Sequence, residues 1–480
     1  MNDDTGSTIQ TSGKLGIDGQ GNFVVVWRDY RLNHSNNDFY CQLFNSNAQR
    51  IGNNYRINSS LTTWGGYAKI AVRKNGSFAI CWNDTLVRLK IYNRIGNPIS
   101  PEITVNDIPN SNEFHHSVSC DTLGNFIVVW EKPILNSGIN INFQRFDSLG
   151  NKIGNDVKVN EDTASNIHHK PSISIRSDGS FIIAWEKQYS SYYSDYYSIY
   201  MQIFDKNGIK IGTNVRVFNR TDTMDQQTHP LISSDDSGRF CIGFTNYDFS
   251  VGDFDALSQM YNSNGTPNGG PIYIDISGYD EFFQTIFKRK NGDFIVGYHK
   301  EFSLGPKCQR YNANGQLIGI PFLMSNQALS SGKYYDDVAI YNDRIISIWS
   351  DQRNGTDGDI YCNIRSFQKP DSIITIINNI SNSIPKEIKL FQNYPNPFNS
   401  KSKIKISIPE NEKWKMENGI VALKVYDILG KEVKTLINEK LKPGTYEVIF
   451  DGSNLSSGLF YYTLIEDGKR IDTKKLILLK

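Results

Sequence analysis

The side chains best suited to proton transfer are carboxylates that tend to follow a recurring aromatic residue. They are Asp29 after Trp27, Asp84 after Trp82, Glu131 after Trp130, Glu186 after Trp185 and Asp351 after Trp349. Two of them facing one cleft could share the roles of acid and base that glycoside hydrolysis requires. Their regularity speaks against it. A residue type placed alike in most copies of a repeat serves the scaffold, whereas catalysis needs one copy to break the pattern. Asp29/Arg31 and Asp351/Arg353 repeat an Asp-x-Arg unit that reads as a loop-ordering pair. No Gly-x-Ser-x-Gly or His-Glu-x-x-His motif occurs, and an Asp-box of the form Ser-x-Asp-x-Gly-x-Thr-Trp is absent in complete form. No catalytic residue is assigned.

Metal chemistry is equally weakly supported. The loop carrying Asp351, Asp357 and Asp359 is rich in oxygen ligands and could hold calcium, but it lacks EF-hand spacing. Asx residues also shape turns without any ion. His115-His116 and His168-His169 look like chelating pairs, yet adjacent strand residues point to opposite faces. The six cysteines include no CxxC, and Cys41, Cys308 and Cys362 share one strand position in their repeats. They read as small buried hydrophobes. No cofactor is expected.

Recognition fits better. Tyr189–Tyr200 holds six tyrosines in twelve residues, with Tyr192, Tyr193, Tyr196 and Tyr197 at its centre. Tyr and Ser together supply rigid contact area and adaptable hydrogen bonds; the plainer reading is a long hairpin packed on its neighbours. A second set comes from aligning the entries of the innermost strands. Tyr67, His115, Lys170, His229 and Phe283 then share one site, with Tyr335 only approximately there. This ring varies from repeat to repeat around a channel mouth, as a specific site should.

These residues must be positioned by a repeat. GNFVVVW (Gly21–Trp27) returns as GSFAICW, GNFIVVW and GSFIIAW, then more weakly as GRFCIGF, GDFIVGY and RIISIW. The closing aromatics Trp27, Trp82, Trp130, Trp185, Phe244, Tyr298 and Trp349 are 55, 48, 55, 59, 54 and 51 residues apart. A strand-and-turn repeat near this length predicts a β-propeller, here with seven blades of four strands. Asp-Gly or Asn-Gly turns such as Asp178-Gly179 join the first and second strands, and aromatic–Asx–x–x–Gly turns join the third and fourth. The other joints vary in length and open on a single face. A rigid scaffold with variable loops on one side is a usual place for binding.

Composition sets the remaining bounds. The chain has 480 residues, 39% hydrophobic and 21% charged, and a net charge of +1, which argues against nucleic acid. Apolar runs reach only five or six residues, too short for a membrane span. Residues 385–480 carry 17 Lys and Arg against 12 Asp and Glu, a balance of +5 that leaves −4 for residues 1–384. The step implies a propeller over 1–370, a linker over 371–384 and a separate domain over 385–480.

That last domain reads FQNYPNPFN (Phe391–Asn399), KIKISIP (Lys403–Pro409), ALKVYDILGKEVKTL (Ala422–Leu436), PGTYEVIFDGSNLSSGLFYYTL (Pro443–Leu464) and KKLILLK (Lys474–Lys480). About seven short alternating strands between Gly, Pro and Asn turns predict an immunoglobulin-like β-sandwich. Over about residues 388–480 the segment resembles the type A C-terminal sorting domain of the type IX secretion system of Bacteroidota. The resemblance implies export across the outer membrane, usually with removal of the domain and release or surface attachment of the cargo. It also implies recognition by the export machinery at Tyr394, Pro395, Asn396 and Pro397 and at Lys474, Lys475 and Lys480.

Such cargo should begin with a signal peptide, whereas Met1–Ser7 is polar and acidic, and Asn2–Ser7 aligns with the tail of a fourth strand at Asn160–Ser165. The expectation is an N-terminal truncation; otherwise the last blade takes its fourth strand from Ser372–Asn378. The reading is of an exported or surface-attached propeller that binds a glycan or a surface protein. A propeller hydrolase of polysaccharide, or a structural cargo domain of a larger surface protein, is the alternative.

Overall fold

The computed structural model describes residues 8–31, 36–59, 62–63, 66–106, 115–134, 138–162, 166–190, 195–218, 226–248, 252–274, 281–288, 292–300, 307–323, 334–342, 344–351, 358–366, 377–381, 385–409, 420–441, 443–452 and 455–479. All regular structure among them is β-strand.

The repeat is a four-stranded antiparallel meander, as in Ile167–Ile175, Phe181–Ser190, Asp195–Phe204 and Lys210–Arg216. Its second strand is covered on both faces, which explains the unbroken apolar run: every residue of Phe78–Asn83 is buried. Trp27, Trp82, Trp130, Trp185 and Trp349 are all buried at its end. The hairpin between first and second strands is one residue longer than an Asp-Gly dipeptide turn. Arg176 and Ser180 close it, Gly179 N–H donates to the Arg176 carbonyl, and Gly179 sits at φ +86°. This is a type I turn followed by a left-handed residue, a conformation that suits glycine.

The third strand carries a signal the pattern of apolar residues does not disclose. Gln42, Gln144, Gln202, Gln259 and Gln309 are buried there, and each Nε2 donates to the carbonyl of the next residue. In three of them it also reaches two carbonyls of the bulged fourth strand, as Gln42 does with Ile51 and Gly52. A bulge leaves carbonyls off the ladder, and the buried amide satisfies them.

The first strands, Gln10–Ile17, Ala68–Val72, His116–Cys120, Ile167–Ile175, Gln226–Ser234, Glu281–Lys288 and Tyr334–Tyr341, contact one another in sequence order. The cycle closes where Gln10–Ile17 packs against Tyr334–Tyr341. Leu15 N–H donates to Asp337 Oδ2 at 3.2 Å across that seam, and Leu15, Phe23 and Trp27 share a core with Ile346, Ile348 and Ile360. A closed ring of meanders around a channel is a β-propeller.

Among the described residues the last meander has three strands. Of the stretch Ser372–Asn378 read as a possible fourth strand, only Ile377 and Asn378 are among the described residues, and they do not pair with that meander. Ile377–Ser381 pairs instead with Gly444–Asp451, placing Ile377 opposite Val448 and Asn378 opposite Glu447. This strand, read from sequence as linker, covers an edge of the C-terminal domain that would otherwise be open to other chains.

The C-terminal region forms two four-stranded antiparallel sheets. One orders Ile377–Ser381, Gly444–Asp451, Lys401–Ile408 and Lys389–Leu390; the other Glu432–Lys440, Ile420–Tyr426, Gly458–Glu466 and Lys469–Leu478. Lys401–Ile408 alternates exposed Lys with buried Ser and Ile, the period of a half-buried strand. Ile404, Ile406, Val421, Leu423, Val448, Phe450, Leu464 and Leu476 meet in one apolar core.

Candidate ligand site at the channel mouth

A bulge in the first strand recurs at the channel entry. It interrupts the register between Thr11 and Lys14, His169 and Ser172, and Thr228 and Leu231, and more shortly between Phe283 and Thr285. Ser12, Lys170 and His229 occupy it with φ of +58°, +48° and +58°. Left-handed backbone at non-glycine residues is uncommon and needs support from its surroundings.

That support comes from the strand-two termini. Glu131 Oε1 accepts the Lys170 N–H at 2.8 Å, Glu186 Oε1 the His229 N–H at 2.6 Å, and Thr245 Oγ1 the Phe283 N–H at 2.9 Å, each from one repeat to the next. Glu131 also meets His115 Nδ1 at 2.9 Å and His169 Nδ1 at 3.4 Å. Although burial works the other way, these partners hold its carboxyl down at about 2. Glu186 further accepts from the Thr228 hydroxyl and lies 3.2 Å from Lys170 Nζ. Asp29, in contrast, pairs with Arg31 Nη2 at 2.8 Å and accepts the Trp27 indole N–H at 2.9 Å. The carboxylates that follow the aromatic thus order backbone and loops.

Tyr67, His115, Lys170, His229 and Phe283 come together. They line one cavity of about 380 Å³ at the start of the first strands, with Ser12, Lys14, Lys69, Thr245, Phe282 and Gln284 completing most of its wall. Tyr67 and His115 stack with ring centroids 6.1 Å apart. His229 is held neutral, its pKa lowered to about 4 by burial of the ring's charge and by Lys170. Phe283 is 3% exposed, and its ring fills the notch left by Gly243, where an added Cβ would lie 1.7 Å from Phe283 Cζ. It is therefore wall rather than contact surface. The sequence alignment passed over Ser12, which its place in the first repeat could have revealed, and Lys14 and Lys69, two residues deeper along their strands.

Other expected residues fall elsewhere. Tyr196 and Tyr197 are half-buried in strand Asp195–Phe204, opposite Tyr189 and Gln188, while Tyr192 and Tyr193 lie outside the described residues. Tyr189 and Tyr200 join their hydroxyls at 2.6 Å. Asp357 and the side chain of Asp351 likewise lie outside the described residues; Asp359 is a half-buried strand residue. His116 Nε2 meets the Cys81 carbonyl at 3.2 Å, and His168 Nδ1 accepts the Trp185 indole N–H. All six cysteines are thiols.

In the C-terminal domain the Pro-Asn-Pro turn and the final strand form one unit. Asn396 Nδ2 donates to the Lys475 carbonyl at 3.1 Å, and its Oδ1 accepts the Ile477 N–H at 2.9 Å. Phe398 exchanges backbone bonds with Ile477 and Leu479. Behind the turn, buried Asn393 donates to Pro395 and Ser402, and the Tyr462 hydroxyl bridges Asn393 and Phe391. Tyr394 is left 78% exposed, Lys475 is exposed, and Lys474 pairs with Asp472. Lys480 lies outside the described residues.

Residues 392–479 match the family model for the secretion system C-terminal sorting domain. The tail is a type IX sorting domain. A chain carrying this sorting domain is an extracellular or cell-surface protein that engages the secretion machinery. No helix of the described residues is long and apolar enough to cross a membrane. No curated protein matches the chain. Among solved structures it is similar to an α-L-arabinanase from Penicillium chrysogenum, at 10% identity over 63% of this chain and 94% of that one, with a TM-score of 0.45. It is also similar to the α-L-arabinofuranosidase Arb93A of Fusarium graminearum, at 8% identity over 62% and 92%, TM-score 0.43. A third is the β-propeller domain of the Trilobed protease from Pyrococcus furiosus, at 9% identity over 76% and 98%, TM-score 0.44.

Proposed function

We propose that the chain is a seven-bladed propeller acting as a binding module outside the cell, exported by a sorting domain of immunoglobulin-like form. Its ligand, a group borne by a glycan or a surface protein, sits at the channel mouth. The observation that carries this reading is the convergence of Tyr67, His115, Lys170, His229 and Phe283, from five different repeats, on one 380 Å³ cavity. The volume suits a small ligand group, and the cavity opens on the face that gathers the variable joints. Tyr196 and Tyr197 of strand Asp195–Phe204 would add an outer rim, while Tyr192 and Tyr193 of the same hairpin lie outside the described residues.

The carboxylates favour binding over hydrolysis. A glycosidase acid must hold a proton near neutral pH. Glu131 is instead kept ionised by three donors, and Glu186 is engaged by Thr228, His229 and Lys170.

The test compares the full chain with a Tyr67→Ala/Lys170→Ala variant for retention on a glycan array and on whole cells. Retention should fall at least tenfold with little change in melting temperature. Unchanged retention would remove the site from the channel mouth, and release of new reducing ends from polysaccharide by the intact chain would favour the hydrolase.

A further inference from the structure

The channel mouth is cationic where its surroundings are not. Lys14, Lys69 and Lys170 line the cavity, and no carboxylate is among its described lining residues. Residues 1–384 as a whole carry −4. Described acids around it are engaged by the wall: Glu131 by His115 and the Lys170 N–H, Glu186 by Thr228 and His229, Asp337 by the Leu15 N–H and the Thr285 hydroxyl.

Lys69 is left over. Among the described residues its ammonium has no hydrogen-bond or ion-pair partner, and Lys14 and Asp337 are the charged groups that act on it most. The equivalent position holds Lys14 in the first repeat, Asp337 in the last and Ser117, Ser172, Leu231 or Thr285 in the others, so the fold does not require a lysine there. Part of its surface opens on the channel, but the protein around it strips away most of its water. Burial first, and then Lys14, pull its pKa down to about 7, with Asp337 a partial counterweight. An unpaired cation beside a second cation in a poorly hydrated site destabilises the empty protein. An anion in the cavity reverses that cost. Ser12, Tyr67 and Gln284 line the same cavity and offer hydroxyl and amide groups suited to the hydroxyls of a sugar.

We infer that the channel mouth binds an acidic saccharide, with its carboxylate or sulfate seated between Lys69 and Lys14 and its hydroxyls on Ser12, Tyr67 and Gln284. The inference rests on the channel mouth being the ligand site. Because the anion restores the Lys69 charge, binding takes up a proton near neutral pH, and affinity falls as pH rises above 7. Across the channel, His229 is already neutral in that range, with its pKa at about 4, so it does not blur the profile.

The experiment is calorimetric titration of the full chain with a galacturonate trisaccharide, a sulfated galactose trisaccharide, the uncharged galactose trisaccharide, inorganic phosphate and an acidic peptide. At least one acidic trisaccharide should bind tenfold or more tighter than the uncharged one, and the two acidic sugars separate carboxylate from sulfate. Lys69→Met should erase the difference while melting no lower than the parent, and Lys69→Arg should keep the preference but flatten its pH dependence. Equal affinity for acidic and uncharged sugars, with loss in Tyr67→Ala/Lys170→Ala, overturns this inference alone. Binding unchanged in both variants overturns the site as well. Lys69-dependent binding of phosphate or peptide without any sugar, or no binding of any probe at millimolar concentration, overturns the saccharide.

Discussion

The propeller and the sorting domain are both all-β, yet they distribute polarity in opposite ways. The propeller divides its apolar interior into clusters shared between neighbouring repeats and threads buried Gln, His, Glu and Asp between them. The sorting domain keeps one undivided apolar core, and its buried polar residues are neutral ones such as Asn393, Ser402 and Thr463. The difference follows from architecture. A ring of sheets leaves a channel whose lining must be polar and individually braced, whereas two stacked sheets leave no such lining. The propeller can therefore change its first-strand residues while its second strands stay constant.

The largest expected break in the comparison comes from the propeller core. Trp185→Ala empties a buried site and strands His168 without its indole donor, costing about 3–5 kcal/mol. In a denaturation experiment the propeller transition should shift while the sorting-domain transition stays put. Equal shifts in both would show one cooperative unit.

Acid sharpens the comparison next. Buried His168 has its pKa lowered to about 4, chiefly by desolvation, so the unfolded chain takes up its proton first. Stability is then complete above about pH 6.5 and drains as pH falls toward 4, by up to about 3 kcal/mol for this group. Glu131, lowered to about 2, adds a loss of the same sign between about pH 4.5 and 2. In the sorting domain the shifted acid is the exposed Glu432. Its melting temperature should move far less over pH 7 to 4; parallel loss in both domains would refute the contrast.

A smaller effect is expected at the joint of turn and final strand. Asn396→Ala removes two hydrogen bonds to that strand, about 1–2 kcal/mol, and leaves the apolar core intact. Export of a signal-peptide fusion carrying residues 377–480 should fall more than folding does, measured as the surface or medium fraction against the periplasmic one. Deleting Lys474–Lys480 should also abolish export, but it removes core residues Leu476 and Leu478 as well, so the single substitution is the cleaner probe.

The mildest change is Tyr196→Ser/Tyr197→Ser at the rim. Half-buried strand positions of this kind contribute about 1 kcal/mol or less, and retention on glycan should fall by a factor of a few, well short of the channel-mouth variant. A larger loss than that of Tyr67→Ala/Lys170→Ala would relocate the principal contact to the hairpin.

Much of this molecule is set by residues that are near one another along the chain. The repeat length, the doubly covered second strands and the glycines of the hairpins follow from local periodicity and turn chemistry, as do the sorting motifs. The alignment of first-strand entries even placed Tyr67, His115, Lys170, His229 and Phe283 on one rim, because identical strands in a closed ring bring equivalent residues together. What no local rule could supply is which partner each of them meets. Phe283 turns into the wall because a glycine at 243, in the neighbouring repeat, leaves room for its ring. Glu131 and Glu186 are consumed by backbone N–H groups one repeat away. Ile377–Ser381 joins the sorting domain because Gly444–Asp451 offers it an edge. Lys69 depends on the same tertiary choices: packing between repeats desolvates it, and Asp337, the acid that acts on it, already holds the Leu15 N–H and the Thr285 hydroxyl.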